Sequence, residues 1–148
     1  MAEFKGTNVT TIDAGTDKVD ASQVGTKVRC FVEQIDLATN DVDTADTIIV
    51  AKLPANSRFL KIDVIANGST NASSAAATAG DGTDADRFAA STSLPAAGKT
   101  VTLDNPTAGF VGSEVTAETN VVLTIASADL PNASGDALTF VTWYADLN

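Results

Sequence analysis

The chain has 148 residues, nine Lys and Arg against nineteen Asp and Glu, and a formal net charge of −10. Its basic residues occur singly, which argues against binding to a nucleic-acid backbone or to an anionic membrane surface. The absence of histidine excludes Ser-His-Asp and Cys-His catalysis and imidazole zinc ligands, and a single cysteine excludes an intrachain disulfide. No apolar run resembles a secretory signal or a membrane-spanning helix, so we expect synthesis in a cytoplasm.

The first 26 residues are polar and rich in Gly, Asp and Thr, with Val19 and Val24 as isolated apolar residues in their second half. This composition predicts an extended N-terminal arm over residues 1–26, with a short strand compatible with residues 8–12. We expect the arm to become ordered only on assembly. Residues 27–148 are predicted to form a single domain.

The first predicted strand runs from Val28 to Leu37. Apolar residues occupy both of its faces, which indicates a strand lying between the core and a partner. Cys30 lies in this run, and we expect it to be a small buried core residue.

Two further strands are predicted at Thr47–Lys52 and Arg58–Ala66, separated by a turn at Pro54. Alternation in the second of these predicts two faces. One face would carry Leu60, Ile62 and Val64, and the other Phe59, Lys61, Asp63 and Ile65.

Asn67-Gly68 predicts a tight turn, because both residues tolerate positive φ. Ser69 to Ala79 would then be the returning strand. Phe88 to Ala97 is predicted to be a connection, with a short helical turn over residues 84–90.

The C-terminal half predicts strands at Thr100–Leu103, Phe110–Val115, Asn120–Ala126 and Ala137–Ala145. No segment sustains a helical apolar period over three turns. The whole pattern predicts an all-β, antiparallel β-sandwich or jelly-roll domain.

Carboxylate chemistry is the enzymatic option that remains, but the acidic residues lie mostly in predicted loops and few aromatic residues could line a sugar cleft. Asp81, Asp84 and Asp86 surround Gly82 and are candidate ligands for a hard cation. The alternative is a turn in which these aspartates accept backbone hydrogen bonds and Arg87 pairs with a carboxylate. A second loose cluster comprises Asp41, Asp43 and Asp46.

A carbohydrate-binding or adhesion module would need an exposed aromatic platform, for which Trp143 and Tyr144 are the candidates. The two are adjacent in a strand and must point to opposite faces. At least one should therefore lie in the core.

Three segments occur in an order and spacing that resemble small structural proteins of tailed bacteriophages. They are Leu53-Pro54-Ala55-Asn56-Ser57-Arg58-Phe59, then Gly80-Asp81-Gly82-Thr83-Asp84-Ala85-Asp86-Arg87-Phe88, and Val115-Thr116-Ala117-Glu118-Thr119-Asn120-Val121-Val122-Leu123-Thr124. The resemblance extends from Thr47 to Tyr144.

This resemblance implies a non-enzymatic virion component without cofactor or catalytic residues. The commonest role would be a capsid decoration or cement protein on the outside of the phage head. Its partners would be the major capsid protein, whose adjacent subunits it would bridge, and further copies of itself, often as a trimer. Another virion component, such as a neck, tail or head-fibre protein, is equally compatible with these features.

Overall fold

The computed structural model describes residues 27–106 and 114–147, and these residues contain nine β-strands. No helix in these two ranges is long and apolar enough to span a membrane. The strands are β1 (Lys27–Asp36), β2 (Thr47–Leu53), β3 (Ser57–Ala66), β4 (Ala76–Gly80), β5 (Ala89–Ser93), β6 (Thr100–Leu103), β7 (Glu114–Val115), β8 (Thr119–Ala126) and β9 (Ala137–Asp146).

The strands form two antiparallel sheets that pack face to face. The first sheet has the order β1-β9-β3-β6, with β7 also paired to β3, and the second has the order β2-β8-β4-β5. Apart from the short β7, this alternation of strands between two four-stranded sheets is the jelly-roll arrangement. The predicted all-β sandwich is therefore confirmed.

The core lies between the sheets and is filled from alternate positions of the long strands. In β9, Leu138, Phe140 and Thr142 are buried while the residues between them are only half-buried. Phe59 and Phe88 stack across the core with ring centroids 4.8 Å apart. Aromatic side chains of this size remove 150–250 Å² each from water, so this pair is a large part of the stabilising apolar burial.

A β-bulge corrects the predicted faces of β3. The pairing with β9 shifts between Phe59 and Lys61, so Leu60 is an extra residue in the ladder. The bulge brings Phe59 to the core side with Ile62 and Val64, and Phe59 is fully buried rather than facing outward.

The predicted hairpin at Asn67-Gly68 is wrong. The chain crosses here from one sheet to the other, and β4 pairs with β5 and β8 instead of returning along β3. The side-chain Oδ1 of Asn67 accepts hydrogen bonds from the backbone N–H of Thr70 at 2.9 Å and of Ser69 at 3.2 Å. These bonds hold the crossing loop without a strand over Ser69–Ala75.

The remaining differences concern short elements and segments outside the described residues. Ala89–Ser93 is a strand, where a connection and a helical turn were predicted. Of the strand predicted over Phe110–Val115, Glu114 and Val115 form β7, and residues 110–113 lie outside the described residues. The predicted arm, with its possible strand at residues 8–12, also lies outside them.

Candidate functional site

The edge strand β1 is the most exposed element of the described fold. It pairs with β9 without a break from Lys27 opposite Asp146 to Asp36 opposite Ala137. Its other edge has no partner among the described strands. Nine of its ten residues are exposed, although the strand carries the apolar side chains typical of a buried one.

The register with β9 assigns each side chain of β1 to one face. Phe31 is opposite the buried Thr142 and lies on the core side, with its ring 6.1 Å from that of Tyr144. Cys30 is opposite Trp143 and lies on the outer side, between Val28 and Val32. The prediction of two apolar faces is thus confirmed.

Cys30 is exposed, which corrects its prediction as a core residue. Alternation alone could not assign it, because both faces of the strand carry apolar side chains. The second sheet lies on the opposite face and cannot cover an outward-facing side chain in this strand.

The outer side of the first sheet carries a row of apolar side chains across three strands. Val28 is 60% exposed and Val32 is 64% exposed on β1, and Ile65 is 38% exposed on β3. On β9, the half-buried Val141 and Trp143 lie directly opposite Val32 and Cys30 of β1, and Ile65 lies diagonally beyond Val141. We call Val28, Cys30, Val32, Val141, Trp143 and Ile65 the outer apolar surface. Contiguous apolar patches on a protein surface commonly mark interaction sites.

Asp63 organises the polar side chains beside this surface. Its carboxylate accepts hydrogen bonds from Trp143 Nε1 at 2.9 Å and from Thr102 Oγ1 at 2.7 Å, and it pairs with Lys61 Nζ at 2.8 Å. Burial by itself raises the pKa of Asp63, but hydrogen bonds from Lys61, Thr102 and Trp143 outweigh burial and lower the pKa overall. The network fixes the indole ring against the sheet.

The aromatic platform predicted for a sugar-binding module is not assembled. Trp143 and Tyr144 point to opposite faces, as expected, and Tyr144 is buried. The indole N–H of Trp143 is already bonded to Asp63, and Lys61 Nζ lies 5.7 Å from its ring centroid. These contacts therefore hold the indole ring of Trp143 against its own sheet.

The aspartate cluster at residues 81–86 forms a turn closed by Asp81. The Oδ1 of Asp81 accepts a hydrogen bond from the Thr83 hydroxyl at 2.7 Å. It also accepts hydrogen bonds from the backbone N–H groups of Thr83 and Asp84 at 2.8 and 2.9 Å. Its Oδ2 pairs with Arg87. Burial raises the pKa of Asp81, and these hydrogen bonds together outweigh it, lowering the pKa to about 2. The Asp84 carboxylate accepts a hydrogen bond from the backbone N–H of Asp86 at 3.4 Å. The carboxylates of Asp81 and Asp84 therefore stabilise the turn through bonds to its own residues.

The second acidic cluster lies on exposed loops. Repulsion by Asp129 and Asp41, with smaller contributions from burial and Asp46, raises the pKa of Asp43. Asp129 accepts hydrogen bonds from the backbone and hydroxyl of Thr44, which lower its own pKa. Within residues 27–106 and 114–147, no group of three or more Cys, Asp or Glu side chains is arranged to hold a metal ion.

Comparison with known proteins gives fold relatives only. No protein-family model and no curated protein matches the chain. A chain in the acidic stable capsid structure of Helicobacter pylori bacteriophage KHP30 matches with a TM-score of 0.56 and 12% identity, over 82% of this chain and 89% of that one. A chain in the capsid of Ralstonia phage GP4 matches with a TM-score of 0.58 and 16% identity, over 82% and 84% of the two chains. A chain of the cyanophage Pam1 capsid asymmetric unit matches with a TM-score of 0.51 and 20% identity, over 80% and 84%.

These matches cover the greater part of each chain, so they relate whole folds and not a shared fragment. At such low identity they establish the fold and leave individual residues unassigned. The likeness is one of fold, and it agrees with the resemblance to phage structural proteins seen in the sequence. The chain has the fold of chains found in three bacteriophage capsid structures.

Proposed function

We propose that this protein is a capsid decoration protein, which binds the outside of a phage head and bridges adjacent major capsid subunits. The observation that carries the proposal is the outer apolar surface, a set of exposed and half-buried apolar side chains on three strands of one sheet. Val32 on β1 and Ile65 on β3 are 64% and 38% exposed at its two margins. A component of an assembled shell buries such a surface against its neighbours.

Charge supports a position on the outside of the shell. A net charge of −10 repels packaged nucleic acid and keeps the free protein soluble. The charged residues beside Trp143 and Val141 on this face are Lys61 and Asp63, which already form an ion pair with each other, so docking here leaves no charge buried without a partner. Shape and apolar contact would then provide affinity, while the acidic remainder of the protein faces solvent.

Three copies per assembly are part of this proposal, as the family resemblance implies. Light scattering behind a sizing column measures the mass of the particle and therefore the number of copies in it. A particle of three chains, or of six chains built from two trimers, supports this part of the proposal, and a monomer or a dimer at all concentrations contradicts it.

Sedimentation with heads that lack the protein tests the binding surface. Ile65→Asp introduces a charge into the outer apolar surface, and we expect it to reduce head binding at least tenfold. Ile49→Asp is the matched control, because Ile49 is 58% exposed on β2 in the other sheet. Both variants must retain the unfolding free energy of the natural protein to within about 1 kcal/mol for the comparison to hold. Equal binding of both variants would contradict docking through the outer apolar surface.

A further inference from the structure

The free edge of β1 differs from the three other sheet edges of the described fold. β6 has only four residues, and β5 has five and pairs irregularly with β4. β2 contains a register shift between Ile49 and Ala51. Short strands and bulges are the features that keep sheet edges from pairing with other chains. β1 has ten residues and an unbroken ladder, so it retains an edge on which another strand can pair.

The charges along β1 complement those of a second β1 in antiparallel orientation. Lys27 and Arg29 lie in its first half, and Glu33 and Asp36 lie in its second half. Antiparallel pairing with an identical strand brings each basic half against an acidic half. Opposite charges directly across a strand pair are favourable, whereas like charges are unfavourable.

The faces of the sheet restrict the register of such a pair. In two copies related by a two-fold axis perpendicular to the sheet, core-side residues of one copy lie opposite core-side residues of the other. The axis must therefore pass between the two copies of one and the same residue. Centring the pair on Phe31 aligns nine residues, Lys27 to Ile35, of each copy. Arg29 then lies opposite Glu33 of the second copy, twice, on the core side. Cys30 lies opposite Val32 of the second copy, twice, on the outer side.

We infer that β1 pairs antiparallel with β1 of a second copy in this Phe31-centred register, joining the two outer apolar surfaces into one continuous sheet face. The inference goes beyond the proposed function and does not require head binding. A two-fold contact closes with two copies, so it adds to any three-fold contact. The pairing predicts particles of two chains, or of six chains if each copy also makes the trimer contact.

A charge-exchange series tests the pairing through the association constant. Glu33→Arg places two like-charge pairs across the contact, and we expect it to weaken association at least tenfold at 0.15 M salt, where the Debye length is about 8 Å. The double variant Arg29→Glu with Glu33→Arg restores opposite charges across the contact but breaks the ion pair of Arg29 with Asp146 in its own chain. It should therefore recover at least a threefold part of the association lost in Glu33→Arg. Asp104→Arg is the control, because it makes the same change of net charge at an exposed residue beyond β6. Equal weakening by Asp104→Arg and Glu33→Arg would overturn the inference.

A disulfide test fixes the register and does not depend on the double variant folding. Val32→Cys places a thiol opposite the natural Cys30 of the second copy, and oxidation should link the chains covalently. Gln34→Cys lies one position further along the same face and should not link, because that separation exceeds disulfide reach. Linking of the natural protein through Cys30 alone would indicate a Cys30-centred register and overturn the Phe31-centred one. A monomer or an isolated trimer at all concentrations would overturn the pairing, while leaving the head-binding test unaffected.

Discussion

The indole N–H of Trp143 donates a hydrogen bond to Oδ2 of Asp63 at 2.9 Å, joining the middle of β9 to the middle of β3 on the outer side of the first sheet. The Asp63 carboxylate is only 17% exposed and also bonds Thr102 and Lys61. This network holds one half-buried carboxylate and one half-buried indole in fixed positions beside the outer apolar surface.

Asp63→Ala should therefore destabilise the protein by about 1–3 kcal/mol, because the Trp143 N–H and the Thr102 hydroxyl both lose their acceptor. Trp143 is the only tryptophan of the chain, so its fluorescence reports unfolding in urea and also its local environment. We expect a lower urea midpoint and an emission maximum shifted to the red. Asp104→Ala, at an exposed residue, is the control, and an equal loss of stability in both variants would contradict this role of Asp63.

Much of the fold was predictable because the strands alternate strongly in their own sequence. Thr100–Leu103 was predicted at its observed bounds, and the long strands β1, β3, β8 and β9 to within one residue at each end. The missed strand β5 consists of Ala, Ser and Thr, whose small side chains give little contrast between faces. The hairpin at Asn67-Gly68 failed because local turn propensity cannot indicate that the next strand joins the other sheet.

The candidate site was predictable only in part. Apolar residues on both faces of β1 correctly indicated an unusual strand, but its position at a sheet edge depends on long-range pairing. The contact between Asp63 and Trp143 joins residues eighty positions apart, and no local pattern signals it. The Asp81 turn was foreseen as one of two alternatives, because Asp, Gly and Thr at these spacings favour bonds to nearby backbone amides.

Gly80 lies where the chain leaves β4 for the Asp81 turn, and it has no room for a side chain. A Cβ at this position would lie 1.9 Å from the backbone oxygen of Asp84 and 2.4 Å from the carbonyl carbon of Ala85. Gly80→Ala should therefore cost about 3 kcal/mol or prevent folding, since backbone atoms cannot move aside cheaply. Gly82→Ala meets nothing within 4 Å and should change the unfolding free energy by less than about 0.5 kcal/mol. Equal denaturation midpoints for the two variants would contradict this account of the turn.

Asp81 should make stability depend on acid pH. Its pKa is about 2 in the folded chain against an ordinary value of 3.8, so the ionised carboxylate stabilises the fold above about pH 4. That contribution, at most about 2 kcal/mol, is lost as the pH falls from 4 towards 2. The difference in unfolding free energy between the natural protein and Asp81→Asn should shrink over this range. A difference that stays constant between pH 5 and pH 2 would contradict the lowered pKa.

Two buried threonines should respond oppositely to replacement by valine. Thr142 and Thr70 are both fully buried, but the Thr142 hydroxyl has no hydrogen-bond partner among the described residues. The Thr70 hydroxyl instead accepts from the backbone N–H of Ala137 at 2.7 Å. Thr142→Val should stabilise by up to about 1 kcal/mol, whereas Thr70→Val should destabilise by about 1–3 kcal/mol. Calorimetric melting measures both, and a loss of stability in Thr142→Val equal to that of Thr70→Val would contradict the assignment.

Electron cryo-microscopy of phage particles made with and without this protein tests the decoration role most directly. The account predicts density that is lost with the protein at repeated positions on the outer surface of the head, each position touching more than one major capsid subunit. Density lost only from the neck, tail or a head fibre, or an unchanged particle, would contradict it.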